Sequence, residues 1–420
     1  MHTPNQQPVP PAAQSAVSRR AMHYPDFRIL WFTTGLVAGG IWFQQVTLGW
    51  LAYDLTRDAL HTAGVVGVRT LPLLLSPITG VIADRVDRRK LLLVDQVLVT
   101  VLVFAFALVL LNDLQQLWHL YVFALVFGTL WAANNPVRQV LIANTVPREA
   151  LMNATAMISM SFNLMRALGP AIGGFVIAFF GPGINFLIQG VLFLLALLVL
   201  TRMRTPYYTA DRAHARESSP LQNLKEGFVR VITEPTTRIT TLMTFGLSLT
   251  MLAMVFNQLP VYTAEILNND DGSQLGLLLM AMGLGGFLGT ALIAAFTSTR
   301  RKGVLASAAF ALSAVTVVIL SQVATLWLAM LALLLQQMFV QVVMTTNMTI
   351  VHSMTPDDLR GRVIGVYQME IGLMPFWGLV GGALSRAYGV DNAFLIAGIT
   401  GLAIIAIGSV AFPRYRRLQF

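Results

Sequence analysis

The sequence predicts an all-α membrane protein of twelve transmembrane helices in two pseudo-symmetric six-helix bundles. Three observations carry that prediction. Only 11% of the 420 residues are charged and 56% are hydrophobic, less than half the charge of about 25% usual in soluble domains. The apolar residues also fall in long blocks, and a helix needs about 20 of them to cross a ~30 Å hydrocarbon core. Finally, the second half of the chain repeats features of the first in the same order.

The first 26 residues, rich in Pro, Gln and Ala, read as a flexible tail. Ser18-Arg19-Arg20 faintly resembles a twin-arginine signal, but a full span follows it rather than a short apolar stretch with a cleavage site. The tail is therefore expected to stay in the mature chain. Six spans follow at 28–53, 62–83, 91–111, 117–136, 150–180 and 183–202, forming an N-terminal bundle over 27–202. A polar linker at 203–235 comes next. In it Leu221, Leu224, Phe228 and Val231, with Lys225 and Arg230 between them, predict an amphipathic helix on the bilayer surface. Spans 7–12 follow at 236–262, 274–298, 303–322, 325–350, 360–386 and 392–412, giving a C-terminal bundle over 236–413 and a short tail at 414–420.

Charge sets the orientation. Of the 28 Lys and Arg, 24 fall in the N-terminal region, the even-to-odd loops, the linker and the C-terminus. Only Arg57 and Arg386 fall on the other side, while Arg69 and Arg166 lie inside spans. The positive-inside rule then predicts cytoplasmic termini, and it assigns the net charge of +9 to a membrane rather than to nucleic acid. The internal repeat appears as Pro147-Arg148-Glu149-Ala150-Leu151 against Pro356-Asp357-Asp358-Leu359, and as Gly173-Gly174 against Gly381-Gly382. A third match pairs Phe43-Gln44-Gln45 with Phe256-Asn257-Gln258. Doubled six-span halves point to a carrier whose binding site lies at the repeat interface, near mid-membrane.

Other chemistries find little support. The chain has no cysteine and six histidines, so thiolate metal sites are impossible. His352 stands alone, the acidic run Asn268–Gly272 reads as a turn, and no Gly-rich Lys-Ser/Thr phosphate loop exists. No metal or cofactor is expected, nor a nucleic-acid partner. The expected partners are a small-molecule substrate and the lipid bilayer, with the chain acting as a monomer. A polytopic enzyme, a lipid or lysolipid flippase on the same scaffold, and a non-transporting sensor are the competing classes.

Between spans 2 and 3 stands Gly80-Val-Ile-Ala-Asp84-Arg85-Val-Asp87-Arg88-Arg89-Lys90. Read minimally, its basic residues only set topology. However, Gly80 and Asp84 share a helical face, where the glycine admits a close neighbour and the carboxylate can cap a helix N-terminus. The stretch resembles the signature of the major facilitator superfamily, G-x-x-x-D-[RK]-x-G-[RK]-[RK], with Asp87 in place of its glycine. In span 5, Arg166-Ala-Leu-Gly169-Pro170-Ala-Ile-Gly173-Gly174 is either a proline-kinked packing helix or, as it resembles, the core of the superfamily's antiporter motif, with Met165 where a glycine is usual. Gly285 and Gly289 of span 8 are the expected packing partners of its glycines. Within the superfamily the chain resembles the transmembrane secretion effector group from Tyr24 to Phe412. It does so through Tyr53-Asp54-Leu55-Thr56, Asn135-Pro136-Val137-Arg138, Pro147–Ala154 and Asp358-Leu359-Arg360-Gly361-Arg362.

The resemblance implies export of a small amphiphile (drug, siderophore or similar metabolite) from the bacterial inner membrane by proton antiport and alternating access. In that scheme Gly80, Asp84, Arg85, Arg88 and Arg89 brace a cytoplasmic gate with Asp358, Arg360 and Arg362. The arginine motif found in the fourth span of many drug–proton antiporters is absent, since 127–133 carries no charge. Ionisable residues inside the bilayer are functional candidates by default. Arg69 lies about 10 Å from one end of span 2, and Glu370 about 16 Å from the opposite end of span 11, at 1.5 Å per residue. These depths are similar, and the resemblance implies that spans 2 and 11 are neighbours. The expectation is therefore an Arg69–Glu370 pair that breaks during the cycle with Glu370 carrying the proton, against a static pair or a Glu370 facing a wet cavity. Arg166 either binds carbonyls freed by Pro170 or receives an anionic substrate group. The cavity of the superfamily, lined by spans 1, 4, 7 and 10, would here present Gln44, Gln45, Trp131, Asn134, Asn257, Gln258, Gln337 and Gln341. Some of these amides are expected to serve only as polar glue between helices.

Overall fold

The computed structural model describes residues 20–75, 88–204, 220–295, 301–356 and 359–412. Among them every regular element is helical. The spans, numbered in order, begin with α1 (Pro25–Thr56), α2 (Ala59–Thr70, continued as a 3₁₀ turn over Leu71–Leu75), α3 (Arg88–Leu111) and α4 (Leu117–Thr145). One helical run, Arg148–Leu200, breaks at Gly181, whose φ of +79° suits a residue without Cβ. It therefore splits into α5 (148–180) and α6 (182–200). The C-terminal half contains α7 (Pro235–Glu265), α8 (Ser273–Ala295), α9 (Lys302–Leu320) and α10 (Leu326–Met354). It closes with α11, in two pieces (Arg360–Tyr367 and Met369–Tyr388), and α12 (Val390–Ala411).

Packing registers show that the Gly181 break is a hairpin. On α5, Gly169 and Gly173 meet Trp42 and Phe43 of α1, with both helices running in the same direction. On α6, Asn185 bonds Thr47 while Phe193 packs on Gly40, so α6 runs against α1. α5 and α6 are thus antiparallel passes. The equivalent turn between α11 and α12 is Gly389, φ +89°, 208 residues later.

The two halves are pseudo-equivalent at the level of contacts. A Cβ on Gly173 of α5 would lie 3.2 Å from the Cα of Phe43, and one on Gly381 of α11 would lie 3.2 Å from the Cα of Met254 in α7. Their neighbours face the opposite half: Gly174 meets Gly276 of α8, and Gly382 meets Ala59 and Leu60 of α2. Two antiparallel pairs, α5–α8 and α2–α11, therefore join the bundles. In this packing Phe43 corresponds to Met254, two residues away from the match with Phe256 seen in the sequence.

Glycines account for these close crossings, since small residues let helix backbones approach and gain dispersion contact where lipid supplies no hydrophobic drive. Pro170 removes a backbone donor, and its own carbonyl sits against Gly276. Gly285 and Gly289 do not join this seam. They face the Leu334 and Met338 carbonyls of α10, because the α5–α8 register passes through Gly276 and Gly283 and turns 285 and 289 away.

Arg20, Phe412 and the linker helix (Pro220–Thr233) share one end of the bundle, the base; the other end is the crown. The linker helix packs on the C-terminal half. Val231 is buried with Val351, Val363, Val366 and Tyr367, and Glu226 pairs with Arg362, while Phe228, Val229 and Ile232 stay exposed. Among the described residues, polar links between the halves gather at the crown. Trp50 Nε1 donates to the Asp270 carbonyl (2.6 Å) and Tyr53 Oη to Glu265 (2.9 Å). Arg57 pairs with Asp270 (2.8 Å) and Arg386 with Asp58 (3.7 Å).

Candidate translocation site

Three groups of polar side chains lie where the bundles meet or directly beside that seam. The first sits between α1, α2 and α4. Arg69, buried within the N-terminal half, donates to Gln45 Oε1 and rests on the Phe127 ring, 5.3 Å from its centroid. It does not pair with Glu370, and among the described residues no acid faces it. Helix azimuth explains the correction. Gly67 and Leu74 of α2 meet Pro375 and Gly372 of α11, so the two spans are neighbours. But Arg69 is two residues beyond Gly67 and Glu370 two before Gly372, each about 200° round its helix from the contact face. Each charge is turned into its own half.

Glu370 is buried in the C-terminal half beside Ser248, at the start of a π turn in α7 (Ser248–Ala253). Its Oε2 has no hydrogen-bond partner. The π turn disturbs the regular ladder, and Gln336 Nε2 satisfies one carbonyl there, Met251 O at 2.9 Å. Asn257 of the same helix packs on Gly378 of α11.

The third group lies at the α5–α8 crossing. Arg166 has its guanidinium carbon 5.9 Å from the Trp42 ring of α1. Gly286 of α8 leaves the space in front of it open, a Cβ there lying 3.9 Å from Arg166 Cζ and 3.8 Å from Gln337 Cγ of α10. The carbonyl that Pro170 frees belongs to Arg166 itself and faces Gly283. The guanidinium makes no hydrogen bond or ion pair among the described residues, so it does not serve freed carbonyls.

Gln44 and Gln258 are fully buried with neither amide atom hydrogen-bonded, and Gln337 Oε1 is likewise unpartnered. A match to the model of the transmembrane secretion effector family spans residues 20–417. The chain belongs to that family. It is similar to the staphyloferrin A transporter of Staphylococcus aureus, 25% identical over 381 residues covering 88% of this chain and 91% of that one. It is similar also to the multidrug efflux pump Tap of Mycolicibacterium fortuitum, 27% identical over 395 residues covering 89% and 92%. The fold is that of the nucleoside transporter NupG, with a TM-score of 0.74 over 92% of this chain and 99% of that one at 12% identity. The protein is therefore a multi-pass membrane transporter of the major facilitator fold and not an enzyme.

The other sequence-predicted residues of this transporter divide. Asn134 is not a simple lining amide: its Nδ2 donates to Asp95, and its Oδ1 accepts from Arg138 Nε at 2.7 Å. Arg138 also reaches Gln96 Oε1 (3.3 Å) and Thr34 Oγ1 (3.4 Å), closing a charged network across α1, α3 and α4. Sequence reasoning counted Arg138 only among the topology charges and did not single out Asp95 as a candidate. The missed signal was their spacing on adjacent helices that run antiparallel toward the base. Gln341 bonds Thr345 within α10 (3.2 Å), and Trp131 is half-buried beside the N-terminal aromatic core. Gln336, Ser248 and the fully buried Gln189 were also missed.

Of the gate residues, Gly80, Asp84, Arg85 and Asp358 lie outside the described residues, as do the side chains of Arg88 and Arg360. Arg89 donates to the Thr201 carbonyl at 3.0 Å, and Arg362 pairs with Glu226 of the linker helix. Gly169, Pro170, Gly173 and Gly174 form the seam described above.

Proposed function

We propose that the protein exports a small amphiphilic molecule across the bacterial inner membrane by proton antiport, its halves rocking about the α2–α11 and α5–α8 pairs to give alternating access. The base would face the cytoplasm, as the charge asymmetry supports. The observation that carries the reading is Glu370. It is a buried carboxyl with an unpartnered oxygen, beside a π turn and next to the α2–α11 seam. A proton on that group removes the cost of an uncompensated buried charge. Its loss to the cytoplasmic side would restore that cost and make the site sensitive to the conformational state. The unpartnered Oε1 of Gln337, beside Gly286 and Arg166, suits a substrate that supplies a donor within an apolar body. The links among Trp50, Tyr53, Arg57, Asp58, Glu265, Asp270 and Arg386 close the crown, which suits the state open to the cytoplasm.

The staphyloferrin and Tap relatives support export of metabolite- or drug-like solutes. The test is uptake of fluorescent amphiphiles into inverted membrane vesicles under an imposed pH gradient. Wild type is expected to concentrate dye and dissipate the gradient, whereas Glu370→Gln should equilibrate dye downhill without moving protons. Proton movement by Glu370→Gln at the wild-type rate would overturn the assignment.

A further inference from the structure

Arg166 offers a site whose ligand chemistry can be specified, and the inference rests on the export reading above. A guanidinium carries five N–H donors and no acceptor. Inside a bilayer such a group costs free energy unless it is paired, hydrogen-bonded or reached by water. Arg69 and Arg138 show how this fold meets that cost: Gln45 accepts from the first, and Asn134, Gln96 and Thr34 accept from the second, with Asp95 one hydrogen bond away. Arg166 receives nothing comparable. Among the described residues no side chain or backbone oxygen accepts from it, and no carboxylate faces it.

Its surroundings are built for access and not for neutralisation. One side is the Trp42 ring, itself edge-on to Phe162 with centroids 6.2 Å apart. The other side is Gly286, where any larger residue would occupy the space before the guanidinium. The same corner holds two more unpaired polar atoms, Trp42 Nε1 and Gln337 Oε1, and Gln337 is 2% exposed. Unpaired guanidinium and indole donors, set against an aromatic pair, call for an acceptor that carries negative charge and an apolar or aromatic body. The four residues come from α1, α5, α8 and α10, so the site spans both halves and changes shape if they move.

We propose that Arg166 is the anion-binding subsite of the exporter, and that it selects amphiphiles bearing a carboxylate whose apolar portion stacks on Trp42 and Phe162. A planar carboxylate matches the guanidinium fork bidentately, which an amide cannot do with equal strength. Lysine in its place would keep the charge and lose the fork.

The test uses two nearly isosteric dyes, dansyl-glycine and dansyl-glycinamide, titrated by fluorescence anisotropy onto the full-length protein in nanodiscs. Wild type is expected to bind the carboxylate at least tenfold more tightly. Arg166→Lys should keep part of that preference and Arg166→Gln should abolish it, with thermal melting used to confirm that each variant is folded. Gly286→Leu, which fills the approach, should also lose the preference. Equal wild-type affinities, absence of binding by either dye, or a preference that survives in folded Arg166→Gln overturns the site. The wild-type comparison alone suffices if the variants fail to fold. The two readings fail separately in proteoliposomes carrying wild-type protein. Proton-driven efflux of the amide without carboxylate preference retains export and removes the anion site. Carboxylate preference without any proton-driven efflux retains the site and removes the export mechanism.

Discussion

Replacing Gly174 by alanine probes whether the α5–α8 seam belongs to one conformational state. The added Cβ would lie 2.7 Å from the Gly272 carbonyl oxygen, 2.9 Å from Gly276 Cα and 3.1 Å from Gly276 N. All three are backbone atoms, so no side chain can swing aside. Carbon contacts relax at about 3.5–4.0 Å, so α8 must retreat by roughly 0.5–1 Å. Overpacking of this kind costs about 1–3 kcal/mol. If the contact exists only with the crown closed, that cost falls on one state alone. At about 1.4 kcal/mol per tenfold, the closed-to-open ratio should then drop by roughly 5- to 150-fold. Leu114 follows α3 at the crown and Ala324 lies between α9 and α10, both exposed. The native chain has no cysteine, so cysteines placed there take spin labels without background. Double electron–electron resonance should show a longer distance population growing in Gly174→Ala. Gly169→Ala is the control: its Cβ would meet Trp42 Cβ at 2.7 Å, a contact within the N-terminal half. That variant should lower the melting temperature and leave the distances unchanged. Identical distance distributions in wild type and Gly174→Ala would refute the reasoning, whether or not stability fell.

Three further outcomes are expected. Gln45→Leu removes the acceptor of the buried Arg69 and should cost about 1.5–3 kcal/mol, read as a loss of thermal stability in detergent. A double-mutant cycle of Arg69 with Glu370 should show coupling below about 0.5 kcal/mol, as for groups that share no partner; a larger value would restore the direct pair. At the crown, burial pushes the Asp58 carboxyl up, but the His61 hydrogen bond, the Leu60 N–H and Arg386 take it below the ordinary carboxylate value. A depressed carboxyl stabilises above its unfolded pKa and loses that contribution as pH falls through the folded value. The crown contact is therefore expected to hold at neutral pH and to weaken only below the ordinary carboxylate range. The same spin labels should report that weakening in wild type and not in Asp58→Asn.

The spans and the two-fold repeat were legible because each rests on a short-range signal: apolar length, turn residues and small-residue spacing. Gly173-Gly174 and Gly381-Gly382 were read correctly as equivalent, and both serve as crossings. The azimuth of the buried charges was not legible. Which way Arg69 and Glu370 point depends on which faces of α2 and α11 meet, a tertiary fact set by Gly67, Leu74, Gly372 and Pro375 together. Asp95 and Arg138 escaped notice for a similar reason. Each looks like an interfacial charge on its own span, and only the antiparallel packing of α3 on α4 brings them into one network. The linker helix was legible as amphipathic, but its docking through Glu226 and Val231 onto α11 depends on a partner 130 or more residues away.

The azimuths bear on how such a carrier can move at modest cost. A rocking interface that carried buried ion pairs would have to break each pair on every cycle, and breaking one costs about 3–5 kcal/mol. Here the α2–α11 contact is made by Ala59, Leu60, Gly67, Leu74, Gly372, Pro375 and Gly382, and the α5–α8 contact by Ala167, Pro170, Gly174, Gly276 and Gly283. These surfaces are apolar or backbone and exchange only dispersion contacts when they slide. Among the described residues, ion pairs between the halves sit instead at the crown, where Arg57, Asp270 and Arg386 are exposed and water replaces a lost partner. The buried charges therefore act within their own bundles, Arg69 and Arg138 in the first and Glu370 in the second. Arg166 is the exception: it lies on the seam itself, against Gly286 of the opposite half, and among the described residues it has no partner to lose. If the halves rock, that unpaired cation is the charge whose environment changes most, and under the proposed anion site it would couple bound substrate to conformation.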